Sequence, residues 1–114
     1  MVKNFRTYDT SIRFYRLCEQ LKLPRHLRDQ LSRSSSSIAL NLSEGSARST
    51  LRDRRRFYTI ALGSLRESKT ILDLAGIAQE SEIQKIADIL GAQLYRLIQN
   101  LLPTLQETAD RSDS

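Results

Sequence analysis

Residues 27 to 45 read LRDQLSRSSSSIALNLSEG, and the fold turns on whether this stretch is a helix or a linker. The serine run Ser34 to Ser37 favours a linker, because serine is a mediocre helix former and biased polar runs often stay unpacked. The apolar spacing favours a helix. Leu27, Leu31, Ser34, Ile38, Leu42 and Gly45 recur at steps of three and four, and the period crosses the serine run without losing phase. The reading is one helix from about Arg25 to Glu44, with Pro24 ending the helix before it or opening this one, and Gly45 as its stop.

The same period extends in both directions. Upstream, Phe5, Tyr8, Ile12, Tyr15, Cys18 and Leu21 mark one face of a helix from Asn4 to Lys22. Downstream, Thr50 followed by Asp53 has the form of a capping box, opening a helix whose face is Phe57, Tyr58, Ala61, Leu65, Ser68, Leu72 and Ala75 and which Gly76 closes. Ser81 and Gln84 form a second capping box, ahead of Ile83, Ile86, Leu90, Leu94, Leu97, Leu101 and Leu105. Pro103 should kink or end this last helix, leaving a polar tail frayed from about Gln106. No stretch of six or more residues alternates with period two, and the connections are short. The expected fold is all-α, an up-down-up-down antiparallel four-helix bundle in one domain over residues 1–105, with residues 106–114 as the tail.

At 114 residues the chain has room for a single core. Cys18 is its lone cysteine and His26 its lone histidine, so an internal disulfide and a His/Cys metal cluster are both excluded. No Gly-rich phosphate loop, nucleophile elbow or helix with paired metal ligands is present. Cys18 reads as a core residue and His26 as a solvated turn residue. The expectation is a protein without enzymatic activity, catalytic residues, metal or cofactor. No apolar run approaches membrane-spanning length, and the N-terminus lacks a signal-peptide pattern, so a soluble cytoplasmic protein with no membrane partner is expected.

The charge is uneven. There are 18 Lys and Arg against 13 Asp and Glu, a net +5, and most of the bases are arginine, whose planar fixed charge suits phosphate. The excess lies in the first half: residues 1–56 hold 13 bases and 5 acids (+8), and residues 57–114 hold 5 bases and 8 acids (−3). Arg48, Arg52, Arg54, Arg55 and Arg56 crowd the start of the third helix, with Arg66 further along its outward arc. A solvated face is one reading. The other is a phosphate-binding surface, because a helix N-terminus disfavours cations and Asp53 and Glu44 are the only acids nearby. With little aromatic interleaving, contact with the nucleic-acid backbone is expected over stacking on bases. Arg25, Arg28 and Arg33 would add to this surface if assembly brought them to it.

Two further arcs need a partner. On the second helix, Gln30, Arg33, Ser37, Asn41 and Glu44 form a polar stripe, either a solvated edge or a network in which Arg33, Asn41 and Glu44 satisfy one another or neighbouring backbone groups. On the third, Ile60, Gly63, Ser64, Glu67, Ile71 and Leu74 form a semi-apolar arc beside the core arc. A mid-helix glycine costs about 1 kcal/mol against alanine, which makes sense at Gly63 if another backbone approaches there. A second buried arc on one helix predicts a homo-oligomer.

The residues Gln30-Leu31-Ser32-Arg33, Ser37-Ile38, Asn41, Glu44-Gly45, Arg48, Phe57-Tyr58 and Ile60-Ala61-Leu62-Gly63-Ser64-Leu65-Arg66-Glu67 resemble the bacterial four-helix bundle proteins. These are also called 23S ribosomal RNA intervening-sequence proteins or the S23 family. The likeness covers about residues 8 to 105. It implies an up-down four-helix bundle assembled as a homopentameric ring and encoded, in some bacteria, within an insertion in the 23S rRNA gene. That family is related in fold to the accessory variability determinant of diversity-generating retroelements, a basic pentamer that binds nucleic acid and a reverse transcriptase. The resemblance therefore implies further copies of the chain and nucleic acid as partners, or, as the alternative, a protein-interaction adaptor that meets a reverse transcriptase or another acidic protein. Two departures stand out: serines at Ser34, Ser35 and Ser36 where the family commonly has small apolar residues, and no Trp at the start of the first helix.

Overall fold

The structure, a computed structural model, describes residues 5–113 and the side chains of residues 6–101. Among the described residues there are four helices and no strand: α1 (Phe5–Glu19), α2 (Arg25–Ser46), α3 (Leu51–Leu74) and α4 (Glu82–Asp113). Each helix packs on the next, α1 also packs on α4, and the diagonal pairs stand farther apart across the core. With short connections this is an antiparallel four-helix bundle.

The helix ends follow local chemistry. Pro24 lacks an N–H and precedes α2, and its carbonyl accepts from the N–H groups of Leu27 (3.0 Å) and Arg28 (2.9 Å). Thr50 caps α3 by accepting from the Asp53 N–H at 3.2 Å, and Ser81 accepts from the Gln84 N–H at 3.3 Å ahead of α4. Gly76 takes φ +75 just past α3. Its N–H reaches the Asp73 carbonyl while the Ile77 N–H reaches Leu72, each at 3.0 Å, the paired bonds of a glycine-terminated helix. The Gln84 side chain departs from the capping-box expectation. It is fully buried and donates to Asp73 Oδ1 at 3.0 Å, tying the end of α3 to the start of α4.

Two punctuation signals have other roles than expected. Gly45 does not stop α2, which runs on to Ser46 with Ala47 as its C-cap. It is instead a point of close packing: a Cβ there would lie 2.8 Å from Tyr58 Cε1 and 3.0 Å from Phe57 Cβ. Pro103 does not end α4, which continues to Asp113. A proline removes one backbone bond, and the turns on either side can carry a helix past it. Side chains of the polar segment from Gln106, and that of Leu105, lie outside the described residues.

The core is formed by all four helices. From α2 come Leu31, Ser34, Ser35, Ile38 and Leu42, so the serine run is interior helix and not linker. Its hydroxyls are satisfied: Ser34 pairs with Ser68 of α3 at 2.7 Å, Ser37 with Ser64 at 2.9 Å, and Ser36 donates to the Arg33 carbonyl at 3.1 Å. Small hydroxyl side chains facing each other let α2 and α3 approach closely, and this is the most extensive helix pair. From α3 come Tyr58, Ala61, Leu65, Ser68, Ile71 and Leu72, and from α4 Ile83, Ile86, Ala87, Leu90, Leu94 and Ile98.

On α1 the expected face is displaced. The buried positions are Thr7, Ser11, Phe14 and Cys18, whereas Tyr8, Ile12 and Tyr15 are half-buried along the groove against α2. Polar Thr7 and Ser11 in the core hide the true stripe from an apolar count. Ser11 is tolerated there because its hydroxyl donates to the Tyr8 carbonyl at 2.6 Å.

Candidate nucleic-acid interface

The C-terminus of α2 and the N-terminus of α3 lie at the same end of the bundle, joined by a short turn that carries Arg48. Arg48 pairs with Glu44 one turn back. Its Cζ sits 4.8 Å from the centre of the Phe57 ring, and Arg56 Cζ sits 4.7 Å from the same ring. Arg54 turns toward the connection and donates from Nε to the Arg48 carbonyl at 2.8 Å. The negative end of the α2 dipole thus lies beside the positive end of the α3 dipole and offsets it. The arginines are less opposed by the helix dipole here than the sequence of α3 alone implies. Arg48 and Arg54 hold the α2–α3 corner together.

Three of the others face outward. Arg52, Arg56 and Arg66 are exposed, and among the described residues no carboxylate lies within 4.0 Å of any of them. Arg55 is half-buried and lies on the same side of α3 as Arg66, three turns earlier. Arg52, Arg55 and Arg66 form a ridge on the side of α3 nearest α4, about 21 Å from end to end at 1.5 Å per residue. Arg25 and Arg28 are not part of it. They open α2 at the far end of the bundle, a helix length of about 33 Å away, and lie 3.8 and 3.9 Å from Asp29.

The polar stripe of α2 resolves into separate contacts. Arg33 pairs with Glu67 across the helix boundary, Glu44 pairs with Arg48, and Asn41 donates to the Ser37 carbonyl at 2.8 Å and its hydroxyl at 3.0 Å. Arg33, Asn41 and Glu44 do not bond to one another. Most of these groups are partly exposed, which places them on the rim of the α2–α3 seam. Gln30 is exposed.

The second arc of α3 divides in two. Ile71 is core at 2% exposure, and Ser64 and Glu67 are engaged with α2. Ile60, Gly63 and Leu74 are exposed, with nothing within 4 Å of a Cβ built on Gly63. Within this chain no backbone approaches Gly63, and the glycine of close helix packing is Gly45.

The family model for the 23S rRNA-intervening sequence protein matches residues 5–102, from the start of α1 to the last turns of α4. The chain belongs to that family. No curated protein and no solved structure matches it. In this member of the intervening-sequence family the matched span contains the whole arginine ridge and both serine–serine pairs of the α2–α3 seam.

Other reactive side chains are placed as follows. Cys18 is buried, and burial pushes its thiol up to about 12, which leaves almost no thiolate at neutral pH. His26 is exposed in the first turn of α2. Among the described residues no group of three or more His, Cys, Asp or Glu side chains could hold a metal ion, and no helix is long and apolar enough to cross a membrane. Sequence reasoning missed Tyr95, an exposed ring on α4 that faces the same groove as Arg66 and Lys69. It sits at an i+4 step from Gly91, outside the apolar face that was counted.

Proposed function

We propose that this chain is a non-enzymatic, oligomeric helical scaffold that works in the cytoplasm and binds nucleic acid through the arginines of α3. The observation that carries the reading is the set of exposed guanidinium groups, Arg52, Arg56 and Arg66, with no carboxylate partner among the described residues. Unpaired like charges on one helix repel each other, and a phosphate backbone relieves that repulsion. The family name, with its reference to 23S rRNA, favours RNA.

The test is a salt titration of binding to one RNA hairpin by wild type and by the variant carrying Arg52→Gln, Arg56→Gln and Arg66→Gln. These side chains are exposed, so the fold should be retained. Each lost phosphate contact should flatten the slope of log affinity against log salt by roughly one unit. Equal slopes for the two proteins, or no binding by wild type at about 50 mM salt, would overturn the reading.

Assembly is the second element. Ile60 is 43% and Leu74 70% exposed on the outward face of α3, with Gly63 between them offering an open notch. This face is a natural subunit contact, and the homopentameric ring of the resemblance is the arrangement proposed. Light scattering should give a mass several times 13.1 kDa, and Gly63→Leu should lower it by filling the notch. A monomeric wild type at micromolar concentration refutes the assembly.

One feature favours the adaptor alternative. Tyr8, Ile12, Tyr15 and the 68% exposed Leu40 line an apolar groove between α1 and α2, on a different side from the arginine ridge. A protein partner such as a reverse transcriptase would occupy that groove, and its binding would survive the arginine substitutions.

A further inference from the structure

Between α3 and α4 lies a groove of about 350 Å³. Its volume falls near the lower end of the range for small-ligand sites, roughly 300–1,000 Å³. Leu65 is buried at its base, and Gly91 contributes no side chain, so the backbone of α4 is approachable; a Cβ at Gly91 would come within 3.5 Å of Leu65 Cδ2. Tyr95 stands at one side with 58% of its surface exposed. Arg66 and Lys69 border it from α3, and Lys69 is already paired with Asp88 of α4. Arg66 is therefore the uncompensated charge of the groove.

An exposed aromatic ring, an unpaired guanidinium and an apolar base in one groove are the elements that recognise a flat aromatic heterocycle joined to a phosphate. The groove also opens on the side of α3 that carries Arg55 and Arg52, so a strand leaving it toward the start of α3 meets further cations. We propose that this groove holds an unstacked base of single-stranded nucleic acid, with Tyr95 as the stacking platform and Arg66 on the adjoining phosphate. The inference rests on the nucleic-acid reading above and narrows it. Stacking, which the sequence order of the aromatics argued against, becomes available because α4 brings Tyr95 beside Arg66. A duplex keeps its bases stacked and can use only the arginines.

The probes are an oligouridylate, an oligodeoxyuridylate and an RNA duplex, with one base of each single strand replaced by a fluorescent adenine analogue that is quenched on stacking. Wild type should quench the analogue. Tyr95→Ala should abolish the quenching and weaken single-strand binding about tenfold, and Tyr95→Phe should preserve both. Duplex affinity should be the same in all three proteins. Gly91→Leu fills the groove without touching a charge and should also lower single-strand binding selectively. Comparable binding of the two single strands assigns the site to base and phosphate alone, and a preference for uridylate adds the 2′-hydroxyl of RNA. If Tyr95→Ala binds single strands as tightly as wild type, or loses single strand and duplex in equal proportion, the groove proposal fails and the arginine reading stands. If wild type binds none of the probes, both fail.

Discussion

Phe14→Ala should lower the free energy of unfolding by about 3–5 kcal/mol. Phe14 is completely buried and is the largest side chain in the core to be so. It lies on the shortest helix of the bundle, 15 residues long, which has few other apolar anchors because Thr7 and Ser11 occupy two of its core positions. Truncation loses the transfer free energy of the ring and leaves a cavity that the rigid neighbours fill only in part. A domain of this size has about 5–15 kcal/mol of stability in all, so the variant should be close to the edge of folding. Urea denaturation should show a lower midpoint with an unchanged slope. Cys18, one turn further along the same face, gives an independent readout. In the folded state its thiol is raised to about 12 by burial, whereas an unfolded chain presents an ordinary thiol near 8.5. Labelling at pH 8 should be slow in wild type and much faster in Phe14→Ala. Because the folded state disfavours the thiolate, this group leaves stability unchanged below about pH 8.5 and reduces it as pH rises from there toward the folded value.

The absence of Phe14 from the expected α1 face shows where the sequence stops being readable. Periodicity located α2, α3 and α4 well, since Leu31, Ile38, Leu42, Leu65, Leu72, Leu90 and Leu94 are all buried where the apolar spacing puts them. It also crossed the serine run correctly, because a helix face is defined by spacing, and small hydroxyls can be core residues if they find partners. On α1 the same rule failed for the converse reason: apolar Tyr8, Ile12 and Tyr15 form a continuous stripe that lines a groove, while polar Thr7 and Ser11 lie inside.

The candidate site was legible as composition and not as geometry. The arginine cluster is evident in the chain, but that Arg48 and Arg54 are committed to the α2–α3 corner depends on Phe57 and on a backbone carbonyl, which no spacing rule predicts. Arg25 and Arg28 stand a helix length from the ridge within one chain, so they join it only where assembly brings a second copy alongside. Tyr95 went unnoticed because its relation to Arg66 exists only through the packing of α3 on α4.

Gly45→Leu and Gly63→Ala should move stability in opposite directions, although both replace a helical glycine. At Gly63 a Cβ meets nothing within 4 Å, so alanine removes backbone freedom from the unfolded chain at no steric cost. The gain should be about 0.5–1 kcal/mol. At Gly45 even a Cβ comes within 3.0 Å of Phe57 Cβ, an atom fixed to the backbone of α3, and within 2.8 Å of the ring of Tyr58. That ring has little room to yield, since Tyr58 is 2% exposed and its hydroxyl lies 3.1 Å from Ser46 Oγ. Alanine there should be net destabilising by about 1 kcal/mol, overpacking exceeding the helix-propensity gain. Leucine should cost about 3 kcal/mol or more, because α2 and α3 must separate. Chemical denaturation of the three variants checks the signs and their order. The separation would occur at the corner where Arg54 bonds the Arg48 carbonyl and where Arg48 and Arg56 flank Phe57. Gly45→Ala, if still folded, should therefore weaken RNA binding with every arginine intact, while Gly63→Ala leaves affinity per subunit unchanged. Unaltered RNA affinity in a folded Gly45→Ala protein would show that the corner does not position the ridge.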